Sequence, residues 1–181
     1  DRKDYRSNLR SQVLMRLTSI NKTIGPDSDV IDTAPNYDVV NLRYLRSNAG
    51  LIKHSRWYND LQFSKNFGKV TFNYEYRKLS ENNRQFNLRC FAGVFLYNNT
   101  QQNDDYFSFA LDRPTDYLFD YGYLGRSEAS GLFSQQIIVA EGGFKSFLEP
   151  RYANQWMTTA NAITTIWRYI EAYVDVGLVK N

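Results

Sequence analysis

Histidine and cysteine are almost absent from this chain: His54 and Cys90 are the only ones among 181 residues. One histidine cannot supply a His-Glu-x-x-His pair or a three-histidine cluster, so a zinc centre of either kind is excluded from the segment. One cysteine forms neither an internal disulfide nor a cysteine metal site. A Ser–His–acid triad needs only one histidine, but nothing here resembles a nucleophile elbow. Lys53 beside His54 reads as a solvated rim. Long apolar runs are missing too. No stretch approaches the roughly 18 uninterrupted apolar residues of a spanning helix, and mean hydropathy is −0.55. A net charge of only +3 leaves no nucleic-acid footprint. Gly142-Gly143 is followed by no Gly-x-Gly-x-x-Gly, so a phosphate cradle is not indicated. The acidic groups Asp27 with Asp29, Asp104-Asp105, and Asp112, Asp116 and Asp120 read as solvated or turn-forming carboxylates. A loop calcium site is their functional alternative.

What the chain has in quantity is alternation. Val70, Phe72, Tyr74 and Tyr76 occupy one face of a strand-length run, and Thr71, Asn73, Glu75 and Arg77 the other. After Ser80–Arg84 the pattern resumes, with Phe86, Leu88, Cys90, Ala92, Val94 and Leu96 set against Gln85, Asn87 and Arg89. Cys90 thus falls on an apolar face, where it serves as a small hydrophobe. Two-faced ribbons of this kind build a soluble sandwich. They also build a transmembrane barrel, in which the apolar face meets lipid and the polar face lines the lumen. Aromatics at 16% suit strands in general and barrel girdles in particular.

Similar runs are expected at Leu9–Asn21, Val39–Arg46, Arg56–Phe67, Val70–Leu79, Gln85–Tyr97, Tyr117–Gly125, Gly131–Ala140, Asn154–Thr165 and Tyr169–Lys180. The threonines of Met157–Ile170 argue against a helix there. A tight turn is expected at Phe67-Gly68-Lys69 and a long polar loop at Asn98–Thr115. About nine strands, no helix and no dividing linker make residues 1–181 a single all-β, antiparallel, up-and-down transmembrane barrel region. Single-chain bacterial barrels close with an even number of strands. The odd count therefore predicts an incomplete portion, a fragment of a longer polypeptide. The polar, charged Asp1–Asn8 is not a signal peptide, as expected if the chain starts after any targeting segment. Arg43, Arg77, Arg89 and Arg168 fall on polar faces with Glu75, Glu171 and Asp175. They form either a salt-bridge ladder or a charged lumen, and Arg43, Glu75, Arg77, Arg89 and Glu171 are the candidate lumen charges.

The segment Glu141-Gly142-Gly143-Phe144-Lys145-Ser146-Phe147, followed later by Tyr173-Val174-Asp175-Val176-Gly177, resembles the late strands of BamA-like surface-antigen barrels. In that superfamily a Gly-Gly loop motif precedes a Phe-x-Asp-x-Gly strand. Gly142, Gly143 and Ser146 match the first motif, and Tyr173, Asp175 and Gly177 the second. Leu148 and Glu149 stand where the family has Arg-Gly, which weighs against an insertase or secretion role. Phe63–Lys69, Asp120–Arg126 and Ala153–Met157 are more closely similar to the C-terminal barrel region of large Bacteroidota outer-membrane proteins of the gluzincin-type aminopeptidase-like kind.

That resemblance implies a barrel that anchors a surface or periplasmic protein in the bacterial outer membrane. Outer-membrane lipid and other outer-membrane proteins would be its partners. It implies no catalytic, cofactor or metal residue in this segment; zinc and aminopeptidase-like activity would belong to an upstream domain. Two other functions fit the same pattern. A BamA-like transport or export pore predicts an open lumen. A soluble β-sandwich binding module predicts apolar faces that meet one another.

Overall fold

The computed structural model describes residues 7–21, 36–81, 84–99, 107–112, 117–118, 140–146, 151–167 and 170–181. They form nine strands: β1 (Leu9–Ile20), β2 (Tyr37–Ala49), β3 (Lys53–Ser64), β4 (Phe67–Leu79), β5 (Gln85–Asn98), β6 (Phe109–Ala110), β7 (Tyr152–Ala153), β8 (Trp156–Trp167) and β9 (Ile170–Lys180). Seven of them make one antiparallel sheet in the order β1-β2-β3-β4-β5-β8-β9, and β6 pairs with β7 alone. The chain is all-β, and no α-helix is found among the described residues. Strands β1 and β9 are the edges of the sheet and do not pair with each other, so closure is not seen among the described residues.

The seven long strands run 11 to 14 residues, about twice the usual length of about 5–6. Their sequences explain this. Alternation continues through each run without a proline, and β-branched and aromatic residues recur on the apolar side. The expected strands over β1 to β5, β8 and β9 are all present. The runs expected at 117–125 and 131–140 lie almost wholly outside the described residues; Tyr117 and Leu118 sit in a turn, and Ala140 is not in a strand. The tight turn falls at 65–66, not at Phe67-Gly68-Lys69. Those three residues begin β4, and the pairing with β5 shifts register between Gly68 and Lys69. The shift absorbs the irregularity that a glycine signals in a strand.

Connections at one end of the sheet are all short, at 50–52, 80–84 and 168–169. The other end carries the long connections 21–36 and 99–155 as well as the tight turn at 65–66. The described parts of the 99–155 connection pack onto one face of the sheet, here called the inner face. Phe107, Tyr117 and Leu118 bury against Tyr37, Val39 and Phe67. Phe109, Leu111 and Ala153 bury against Phe91 and Met157. Tyr37, Val39, Phe67 and Met157 lie at the ends of their strands nearest the long connections, and Phe91 lies at the middle of β5. The apolar core is therefore a cap at one end, held by aromatic contacts such as Phe67–Phe107 at 4.8 Å and Phe95–Phe109 at 4.7 Å.

The outer face is inverted relative to a water-soluble protein. Val13, Met15 and Leu17 on β1 are 70–74% exposed, and Val174, Val176 and Leu178 on β9 are 60–63% exposed. Between them, Val40, Leu42, Tyr44, Phe63, Phe72, Phe86 and Val94 are exposed as well. Asn41, Asp60, Gln62, Lys69, Thr71, Asn73, Thr159 and Asn161 on the inner face are buried. Alternation fixes this sorting: each run puts every second residue on the same side, and the side that the chain covers is the polar one.

Phe109, fully buried between Phe91 and Phe95, tests the cap. Phe109→Ala should lower the unfolding free energy by about 3–5 kcal/mol in a chemical denaturation.

Candidate functional site

The polar inner face is organised around three centres, the first between neighbouring strands and the other two tying the 99–155 connection to the sheet. Asp60 on β3 is the first. Its Oδ1 accepts a hydrogen bond from Arg43 Nε at 2.7 Å and another from Asn41 Nδ2 at 3.3 Å. Strand pairing places Asp60 directly opposite Arg43, so the ion pair follows from the register. Tyr58, two residues along the same face, has the guanidinium of Arg43 at 5.2 Å and that of Arg56 at 5.3 Å from its ring centroid.

Lys69 is the second centre. It is 1% exposed, and a buried ammonium is costly unless hydrogen bonds and favourable fields replace water. Its Nζ donates to the Phe107 carbonyl at 3.3 Å. Four rings surround it: Tyr117 at 4.6 Å, Phe109 at 5.0 Å, Phe95 at 5.7 Å and Phe67 at 5.8 Å. Tyr117 is fixed in turn. Its hydroxyl donates to Gln62 Oε1 at 2.6 Å, and its carbonyl accepts from the Tyr37 hydroxyl at 3.0 Å. Strands β2, β3 and β4 thus all grip the covering segment through polar groups.

The third centre unites residues 140–146 with the Tyr173–Gly177 stretch of β9. Residues 140–146 lie on β8 and β9. Lys145 N donates to Asp175 Oδ2 at 3.2 Å, and Asp175 Oδ1 accepts from Asn161 Nδ2 at 3.0 Å. The Lys145 ammonium stands 4.4 Å from the Tyr173 ring centroid. Phe144 rests on Gly177, where a Cβ would come within 2.9 Å of the ring. Gly142 donates its N–H to the Ala110 carbonyl at 2.9 Å. Gly143 has a φ of 69° and sits between Arg89 and Asn161; a Cβ there would lie 2.3 Å from Arg89 Nη1. Of the six motif residues, Gly142, Gly143, Tyr173, Asp175 and Gly177 take part in this one assembly. Ser146 is exposed beside it.

The candidate lumen charges are less concentrated. Arg43, Glu75, Arg77 and Arg89 belong to the inner face, in cross-strand rows that place Glu75 opposite Arg56 and Arg89 and place Arg77 opposite His54. Arg43 pairs with Asp60, a residue left out of the expected ladder. Arg89 Nη2 donates to Asn73 Oδ1 at 3.4 Å. Glu171 is exposed near the start of β9, far along the strand from Asp175. Arg168 lies outside the described residues, as do Asp27, Asp29, Asp104, Asp105, Asp116 and Asp120. Among the described residues no three His, Cys, Asp or Glu side chains group to hold a metal ion.

Sequence patterning missed Lys69 and Tyr117 as polar anchors. The available signal was a lone cation on a polar face beside Phe67 and near Phe95. Several buried polar atoms, among them Arg56 Nε, Arg89 Nη1 and Asn161 Oδ1, have no protein hydrogen-bond partner; groups of this kind in polar interiors are commonly satisfied by water. Compared with models of known families, with curated proteins and with solved structures, the chain matches none.

Two substitutions probe these centres. Asp60→Ala removes the acceptor shared by Arg43 and Asn41 and should cost about 1.5–3 kcal/mol of unfolding free energy. Gly143→Ala forces a side chain into a left-handed backbone against Arg89. It should destabilise by at least about 1 kcal/mol, with a loss of protease resistance in residues 140–146 as the local readout.

Proposed function

We propose that the sheet is the membrane wall of an outer-membrane β-barrel region that anchors a larger protein. The observation that carries this is the inversion of its faces. A soluble sheet with one buried side buries its apolar residues. Here the buried side carries Asn41, Asp60, Lys69, Asn73 and Asn161 beside the apolar patch of Val39, Phe67, Phe91 and Met157, and the bare side carries Val13, Leu42, Val94, Val176 and Leu178. Only a nonpolar surrounding makes that arrangement favourable across seven strands.

Strand length supports the same conclusion. An 11-residue strand at about 3.3 Å per residue reaches about 36 Å. Tilted by about 45°, it rises about 25 Å, the height of the apolar band of such barrels. Outward aromatics at both strand ends, Phe63, Tyr97 and Trp156 at one and Tyr76 and Phe86 at the other, are where girdles belong. With Asn98 and Ala49 at opposite ends of the sheet, the short connections mark the periplasmic side. In lipid the open edges of β1 and β9 must be paired. Strands other than the seven described here therefore complete the wall.

The covering segment favours an anchor over a pore. Phe107, Phe109, Leu111 and Tyr117 fill the inner face at the long-connection end and are tied to the wall by Lys69 and Gln62. An export channel needs a path that these side chains occupy. The resemblance to gluzincin-type aminopeptidase-like proteins of Bacteroidota makes a peptidase-like domain the proposed cargo. Any zinc chemistry would reside in that domain.

Two measurements test the proposal. The protein should partition into the detergent phase of a cloud-point separation; recovery in the aqueous phase would favour the soluble sandwich. Leu42→Arg, at the middle of β2 on the outer face, should cost about 2–4 kcal/mol of folding free energy in bilayers. A water-facing position would change by less than about 0.5 kcal/mol.

A further inference from the structure

Three adjacent strands end alike on the outer face at the short-connection end. Along β4 the outward residues run Val70, Phe72, Tyr74, Tyr76, Lys78. Along β5, read toward the same end, they run Val94, Ala92, Cys90, Leu88, Phe86, and Arg84 follows just beyond the strand. Along β3 they run Leu61, Asn59, Trp57, Ser55, Lys53. β4 and β5 pass from aliphatic through aromatic to cationic, and β3 follows the same order with Asn59 and Ser55 interposed. The same sequence of environments is met on leaving a bilayer: hydrocarbon, interface, headgroup.

The cations are placed against their own repulsion. Lys53 lies directly opposite Lys78, and like charges opposed on one face destabilise a strand pair. Neither lysine, nor Arg84, has an ion-pair partner among the described residues. Lys78 and Arg84 line an open groove of about 830 Å³ together with the apolar Ile52, Leu79 and Phe86, and Glu81 is the one carboxylate in its lining. Beside Lys53, Leu51 is 100% and Ile52 63% exposed at the tip of the 50–52 connection. An apolar tip flanked by unpaired cations suits an interface with anionic, amphipathic molecules better than it suits water.

We propose that Lys53, Lys78 and Arg84 bind the phosphate of an anionic phospholipid, with Phe86 and Ile52 against the start of its acyl chains. This rests on the reading of the outer face as lipid-facing. The occupant is a lipid rather than free phosphate because the cations continue the apolar rows of the wall. The headgroup would neutralise the opposed lysines and so strengthen the β3–β4 pair at this end.

The test uses the protein purified from membranes in a neutral detergent. It is mixed with micelles containing equal phosphatidylglycerol and phosphatidylcholine, and bound lipids are counted by native mass spectrometry. The wild type should retain phosphatidylglycerol preferentially. The triple variant Lys53→Gln/Lys78→Gln/Arg84→Gln should retain about tenfold less of it with unchanged phosphatidylcholine, while Lys180→Gln, at the opposite end, should behave as wild type. Equal phosphatidylglycerol retention by the triple variant, or the same loss in Lys180→Gln, would overturn the site. If the triple variant does not fold, as judged by heat-modifiable gel mobility, Lys53→Gln and Lys78→Gln singly must each lower the phosphatidylglycerol count; no change in either rejects the proposal. A protein soluble without detergent that retains neither lipid would overturn the membrane wall itself. That outcome is distinct from a detergent-requiring protein indifferent to headgroup charge.

Discussion

The polar face of the sheet is the buried one, and every other feature of the structure has to accommodate that. Buried amides, carboxylates and an ammonium are tolerated only when hydrogen bonds replace water. The chain supplies many of these bonds itself. Asp60 gathers Arg43 and Asn41, the Phe107 carbonyl and four rings receive Lys69, and Asp175 joins Asn161 to the backbone of Lys145. Once the polar side is occupied, the apolar side is left outward. The free energy of that arrangement is then decided by the surrounding medium and not by the sheet.

The covering segment divides the inner face into two unlike parts. Its apolar residues gather near the long connections, where Tyr37, Val39, Phe67, Phe91 and Met157 offer an apolar patch on the otherwise polar face. Its polar ties, Lys69 to Phe107 and Gln62 to Tyr117, set its position on that patch. Toward the short-connection end the inner face carries Arg56, Glu75, Arg77 and Arg89 instead. The two ends of the inner face therefore differ in kind, one a packed aromatic core and the other a charged surface.

Much of this was legible in the amino-acid order, and the reason is periodicity. Val70–Arg77 and Gln85–Val94 alternate regularly, so their existence and the face of most side chains followed directly, whereas the register shift opposite Gly68 turns Tyr97 outward against the period. The Arg43–Asp60 pair was not legible, because it depends on the register between β2 and β3. Phe107, Phe109 and Leu111 belong to a segment with no sustained period, and β6 and β7 are too short for a period to be read. Phe67 illustrates how one misplaced turn reverses a side chain. Read as the end of β3 it joins the outward row, whereas as the first residue of β4 it enters the core. The link between Gly143 and Asp175 lay in a motif resemblance, while the physical contact that joins them, Phe144 on Gly177 and Lys145 on Asp175, appears only in three dimensions.

Cys90 offers the most direct test of the medium beyond the outer face. It is the single cysteine, it is free, and it lies near the middle of β5 between Tyr74 and Ala160. A nitroxide attached there, in protein reconstituted into lipid vesicles, reports its surroundings through collision with paramagnetic reagents. A lipid-facing wall predicts strong relaxation by dissolved oxygen and little by a water-soluble nickel chelate. Strong relaxation by the chelate, with oxygen no more effective than in buffer, would place the outer face in water and contradict the membrane wall.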